Sequence, residues 1–151
     1  MNVEIRPPKP EELETMYYQR WVVLRQPLGM SLGEERDRAD EEERVDYVIT
    51  TLQDGKIIGS ARLREIQVGV GSIAYVAVLP EFSQQGIGTK LMAYLLNLAK
   101  EKQFHTVRLR SRVTAQGFYE KLTFTAITDP FTHIGIPHVD MEIFLSKIFK
   151  L

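Results

Sequence analysis

Residues 76–92 read Val-Ala-Val-Leu-Pro-Glu-Phe-Ser-Gln-Gln-Gly-Ile-Gly-Thr-Lys-Leu-Met. An apolar run ends at Pro80, a short polar loop follows, and Gly86-Ile87-Gly88 leads into a helical pattern. Small residues at a helix start leave backbone N–H groups uncovered, and the helix dipole turns its positive end toward whatever sits there. The order therefore predicts an anion pocket whose natural guest is a phosphate. Ile87, Leu91, Leu95 and Leu98 share one stripe, which carries the helix to about Gln103. Upstream, Ser72 to Leu79 is apolar nearly throughout and predicts a central strand covered on both faces.

Working outward, Val3 to Arg6 alternates as a strand and is stopped by Pro7, Pro8 and Pro10. Pro10 with Glu11 and Glu12 suits a helix start, and Leu13, Met16, Tyr17, Trp21 and Leu24 extend that helix to about Arg25. Gln26 to Gly33 reads as a loop. The charge run from Glu34 to Arg44 reads as a short solvated helix or ordered loop at the surface. Val45 to Leu52 and Lys56 to Leu63 flank Asp54-Gly55, a strong hairpin signal. Gly69 and Gly71 mark the next turn. Val107 to Arg110 is a further strand, and Ala115, Phe118, Tyr119 and Leu122 form a second helical stripe. Phe124 to Ile127 and Val139 to Leu145 close the chain as strands around a loop holding Pro130 and Pro137. This order predicts an α/β (α+β) fold, a mixed sheet with helices on its faces.

A length of 151 residues predicts a single domain over 1–151. With 44% hydrophobic and 26% charged residues, the chain has the balance of an ordinary globular protein. The absence of cysteine excludes disulfides, thiolate metal sites and a Cys nucleophile. His105, His133 and His138 are too scattered for a zinc motif, so no metal is expected. A net charge of −1 gives no broad pull toward nucleic acid, although Arg108, Arg110 and Arg112 form a local basic patch. No stretch approaches membrane-spanning length and the first residues carry no apolar signal region. The expectation is a cytoplasmic protein without a nucleic-acid or membrane partner.

Three phosphate loops compete for residues 83–90. A Walker loop needs four residues between its first Gly and Gly-Lys-Ser/Thr, whereas Gly88 is followed by Thr89-Lys90. The dinucleotide fingerprint needs a third Gly where this chain has Leu91. The third pattern is Gln/Arg-x-x-Gly-x-Gly/Ala after an apolar strand, the acyl-CoA loop of the GNAT superfamily. Here Leu79-Pro80 follows the strand and Gly86-Ile87-Gly88 supplies the glycines. Ser83 stands where that family has Gln or Arg, with Gln84 and Gln85 displaced in register. Residues 112–124, Arg-Val-Thr-Ala-Gln-Gly-Phe-Tyr-Glu-Lys-Leu-Thr-Phe, match a second family pattern, Asn-x-x-Ala-x-x-Phe-Tyr-x-x-x-Gly-Phe. Ala115, Phe118, Tyr119 and Phe124 agree, Arg112 replaces the Asn and Thr123 the Gly. Gly135-Ile136-Pro137-His138 with Met141 is similar to a bacterial subgroup. The chain thus resembles GNAT N-acyltransferases over about Val45 to Leu145.

That resemblance implies a mostly antiparallel sheet of about seven strands, about four helices and splayed central strands. It implies acetyl-CoA as cosubstrate, no metal, and an amine acceptor on a small molecule or peptide. Val76, Ala77 and Val78 would line the pantetheine arm, with an N–H near Val78 as oxyanion donor. Gln84, Gln85, Gly86, Ile87, Gly88 and Thr89 would wrap the pyrophosphate, with Phe118 beside the cofactor. Tyr119 is the candidate proton donor to the departing thiolate, since a phenol with an ordinary pKa of about 10 is protonated at neutral pH. A core aromatic is its plain alternative. Ser72 occupies the position of a family Glu and cannot act as a base. Candidates are Glu65, which a hairpin at Gly69 sets roughly opposite Ala74; His138, of a residue type that titrates in the physiological range; or a water chain.

The acceptor pocket would draw on Trp21, Arg25, Met30 and the loop from Asp129 to Pro137 with Phe131. Glu34, Glu35 and Asp37 would form an acidic rim that attracts a cationic amine, or would simply be solvated. A non-catalytic acyl-CoA-binding or regulatory module stays open on the departures at Ser72, Ser83 and Thr123. So does a phosphate- or nucleotide-binding domain of another fold. A homodimer through an exposed late strand is a further expectation.

Overall fold

The computed structural model describes residues 2–42 and 44–145. Among these described residues, eight strands lie in one sheet: β1 (Val3–Arg6), β2 (Val45–Leu52), β3 (Ile57–Gln67), β4 (Val70–Val78), β5 (Thr106–Arg112), β6 (Thr125–Ala126), β7 (Phe131–His133) and β8 (Ile136–Phe144). Their order is β1-β2-β3-β4-β5-β8-β6, with β7 also paired to β8. Three α-helices accompany them among the described residues, α1 (Leu13–Leu24), α2 (Ile87–Glu101) and α3 (Gln116–Lys121). Every pair is antiparallel except β4–β5.

The mixed α/β architecture is the one the sequence pattern implies, with eight strands instead of about seven and three α-helices instead of about four. The charge run accounts for the missing helix. It holds only a 3-10 turn, Arg38–Glu41, capped reciprocally by Asp37 and Asp40. (Residue 43 of that run lies outside the described residues.) The extra strand, β7, comes from the proline-bearing loop. The last strand is also not the sheet's edge, because β6 and β7 cover its far side.

Consecutive strand residues point to opposite faces, and β2 and β3 use this to bind two helices. Val48 and Ile58 join Ile87, Leu91 and Leu95 of α2 in the main core. Ile49 and Ile57 face the other way and pack with Met16 and Tyr17 of α1. The sheet is thus a middle layer, with α1 on one face and α2 on the other.

The feature that positions the site is where β4 and β5 part. They pair from Val70↔Thr106 to Ile73↔Leu109 and no further. β4 runs on to Val78 and β5 to Arg112, so their backbones diverge. A β-bulge starts the divergence. Ser60 pairs with Ala77 and Arg62 with Ala74, which leaves Tyr75 and Val76 opposite Ala61 alone. Tyr75 takes φ 58° to make the bulge. A bulge bends its strand and disturbs the ladder. Ala74 to Val78 consequently face β5 with an unpaired edge, and the central strands are splayed.

Candidate active site

The gap between β4 and β5 opens as a cavity of about 760 Å³. It is lined from both faces of the sheet: Ala115 and Tyr119 on the side of α2 and α3, Arg25 and Asp37 on the side of α1. A smaller hollow of about 320 Å³ lies away from it at the β1 edge, by Asn2, Arg6 and Thr51.

On the α2–α3 side, Tyr119 is buried and packs edge-on against Phe118 (centroids 5.0 Å) and Phe124 (6.1 Å). Burial pushes its phenol up to about 12, so it stays protonated at neutral pH. Thr123, which replaces a family Gly, sits at φ 73°. The chain leaves α3 there through bonds from Thr123 N–H to Glu120 O (2.9 Å) and from Phe124 N–H to Tyr119 O (3.1 Å). A left-handed residue after a helix favours Gly, which explains the family preference and makes Thr123 a strained exception.

The start of α2 lies close by. Gly86 is its N-cap at φ 79°, a conformation glycine adopts without strain. The first helical bond runs from Lys90 N–H to Gly86 O (3.1 Å). The N–H groups of Ile87, Gly88 and Thr89 therefore have no helical partner. The first turn holds no acidic side chain. A Cβ on Gly88 would stand 3.2 Å from Phe118 Cζ, so glycine lets α3 close against this turn. These uncovered donors, free of local negative charge, fit a diphosphate. Gln84, Gln85 and Ser83 are exposed in the loop before them, with Gln84 at φ 59°. Val76, Ala77 and Val78 form the end of β4. Buried Gln19 of α1 braces it, donating to Ala77 O (3.1 Å) while accepting from Ser60 Oγ (2.6 Å).

On the α1 side, His138 is buried and lines the cavity. Its Nδ1 is 2.9 Å from Ile136 O, which requires the proton on Nδ1 and leaves Nε2 as the basic nitrogen of the neutral ring. Phe131 stacks on it (6.5 Å) and His133 meets it edge-on (5.0 Å). Glu65 is not among the cavity residues. It pairs with Gly71, is exposed, and accepts from Gly69 N–H at 3.0 Å. Arg62 takes the position opposite Ala74.

Of the three acids expected to form a rim, Asp37 alone lines the cavity, and its carboxylate is committed to Arg62. Asp40 ion-pairs with Arg20 (2.9 Å) and Arg62 (3.0 Å), with all three side chains no more than 3% exposed. Asp37 grips Arg62 with both oxygens (2.6 and 2.9 Å), and Glu35 is buried against Arg36. Glu34 is exposed but caps Ser31 N–H. Asp37 and Asp40 turn toward Arg20 and Arg62 because α1 and β3 bury those arginines, and a buried charge without a partner is costly. What the cavity does display is cationic: six arginines line it against two aspartates, in a chain of net charge −1. The sequence signal was the alternation Arg108, Arg110, Arg112, which puts all three on one face of β5.

A through-sheet cavity beside a glycine-led helix start defines an acyltransferase of the GNAT class. The family model described as "Acetyltransferase (GNAT) domain" matches residues 30–145, and the chain belongs to that family. A candidate acetyltransferase of Bacillus subtilis (strain 168) is 28% identical over 131 residues, 87% of this chain and 88% of that protein. Among solved structures, an acyl-CoA N-acyltransferase from Pseudomonas aeruginosa superposes with a TM-score of 0.80 at 22% identity, covering 93% of this chain and 97% of that one. The ribosomal-protein-S18-alanine N-acetyltransferase from Escherichia coli does so at 0.76 and 20% identity, covering 95% and 94%. At such identities the structures share the fold.

Proposed function

We propose that the chain transfers an acetyl group from acetyl-CoA to a primary amine of a small molecule or peptide by direct attack. The observation that carries this reading is the cavity through the sheet. A donor held on the α2–α3 side and an acceptor entering from the α1 side can meet in the gap without either leaving its own face. Acetyl-CoA supplies an activated thioester carbonyl. The N–H groups from Gln84 to Thr89 hold its diphosphate, with Phe118 closing that turn. The unpaired edge of Val76, Ala77 and Val78 binds the pantetheine amides as an added strand would. An N–H near Val78 stabilises negative charge on the carbonyl oxygen.

Tyr119 gives its proton to the departing sulfur, a role supported by a phenol that burial keeps protonated. His138 takes the proton of the attacking amine at Nε2. It is preferred to Glu65 because it lines the cavity, whereas the Glu65 carboxylate serves the β3–β4 turn. No covalent enzyme intermediate is involved.

The test is release of free thiol from acetyl-CoA over a broad panel of amines. Acceptor-dependent release is expected. Tight CoA binding with no release from any amine would make the chain a non-catalytic acyl-CoA binder. With an acceptor in hand, His138→Ala should remove the acidic limb of the kcat/KM profile while Glu65→Ala keeps it, and the reverse would assign the base to Glu65.

A further inference from the structure

The arginines of the cavity are not equivalent. On β5, Arg108 is opposite Glu142 and Arg110 opposite Asp140, and both ion-pair across the strands (3.4 and 2.8 Å). Arg112 is next in the row, and its opposite residue is His138, not a carboxylate. Arg62 is held by Asp37 and Asp40, and Arg64, which faces Ser72 on β4, has its Nε buried without a hydrogen-bond partner. Arg25, at the end of α1, donates only to the carbonyls of Leu24 (3.1 Å) and Glu34 (3.3 Å). Arg112 donates only to that same Leu24 carbonyl (2.9 Å). Two half-buried guanidinium groups thus converge on one neutral oxygen, with no carboxylate partner among the described residues.

Capping α1 explains one of them. The last carbonyls of a helix welcome a cation, but one donor satisfies that bond and a second charge beside it is repelled. The repulsion registers in the side chains around it. Burial and then the charge of Arg25 push the Arg112 guanidinium below its usual range. Burial, Arg110, His138 and Arg25 together push His133 down against the pull of Asp140. Each guanidinium carries five N–H donors in a planar fork suited to carboxylate or phosphate, and most of these donors are uncommitted here.

We infer that Arg25 and Arg112 form an anion subsite on the acceptor side of the cavity, and that the acceptor is an amine bearing its own carboxylate or phosphate. The inference rests on the acyl-transfer reading above and specifies its acceptor. Arg112 also stands where the family motif has a neutral Asn. A polyamine would meet a cationic wall.

The experiment compares acceptors in matched pairs by thiol release: each amino acid against its α-amide, and phosphoethanolamine against ethanolamine, with spermidine alongside. The anionic member of at least one pair is expected to be preferred about tenfold or more in kcat/KM. Arg25→Gln and Arg112→Gln should collapse that ratio mainly through KM. Arg112→Lys should retain part of it, and Lys56→Gln, on the remote hairpin, should leave it intact. Which pair responds distinguishes carboxylate from phosphate. Spermidine or the neutral members outperforming every anionic member, or a ratio indifferent to both glutamine variants, would overturn the subsite.

If no amine releases thiol, the acyl-transfer reading falls and the subsite is judged by binding. Thermal stabilisation by N-acetylglycine or inorganic phosphate but not N-methylacetamide, lost in Arg25→Gln and Arg112→Gln, would support it. No stabilisation of the native chain by either anion would overturn it.

Discussion

Two groups of arginines lie within the same half of this molecule and are treated in opposite ways. Arg20 and Arg62 are almost fully buried, and the carboxylates of Asp37 and Asp40 close around them. Arg25 and Arg112 border the cavity and share one backbone carbonyl. In the first group the charges hold α1, β3 and the 38–41 turn together. In the second they are left facing the space where an acceptor enters. Counting arginines in the sequence cannot separate the two. The difference lies in which of them the fold supplies with carboxylates.

The sharpest way to break this contrast is to remove the buried anion. Asp40→Ala leaves Arg20 and Arg62 without their shared partner and should cost roughly 3–5 kcal/mol in urea unfolding. A loss under about 1 kcal/mol would place the buried group in the same class as the cavity group.

The next test uses pH. Burial raises the Asp37 carboxyl, but its bonds to Arg62 prevail and hold it at about 2. Arg6, aided by the Lys9 N–H, holds Glu12 at about 2 as well. A carboxyl depressed in the folded state stabilises above its ordinary value near 4 and loses that contribution as pH falls toward 2. Tm should therefore drop between pH 4.5 and 2.5, and Asp37→Asn should flatten part of that drop. An unchanged slope would show that the Asp37–Arg62 pair contributes nothing to folding.

The smallest effects belong to the cavity wall. Asp140→Asn, which breaks a half-exposed pair with Arg110, should cost at most about 1 kcal/mol. Arg112→Gln should cost no more, since it gives up one bond to a carbonyl and relieves repulsion with Arg25. A loss of several kcal/mol at Arg112 would make it a structural residue like Arg20.

The strands β1 and β2 and the start of α2 were legible from periodicity and turn chemistry because their determinants are local: prolines after Arg6, Asp54-Gly55, and the glycines at 86 and 88. The bulge at Tyr75 was not. No glycine or proline marks it, and Tyr75 lies under the guanidinium groups of Arg20 (4.0 Å) and Arg62 (4.8 Å), which come from α1 and β3. Asp37 escapes a sequence reading for the same reason, since its partner Arg62 is remote in sequence, whereas Glu34 and Glu35 bond within their own turn. In the site, Tyr119 and His138 reach one cavity from α3 and β8. Sequence sets Glu65 roughly opposite Ala74, but β3 and β4 shift register between Glu65 and Gln67. That shift pairs Glu65 with Gly71 and keeps it outside the cavity.

The acyl-transfer account depends most on chemistry in the gap, and Tyr119→Phe probes it with the loss of a single oxygen. The substitution keeps the aromatic packing with Phe118 and Phe124, so CoA affinity measured by calorimetry should hold. Turnover by thiol release should fall by about 100-fold or more. Equal turnover in the two proteins, with CoA affinity intact, would contradict the account.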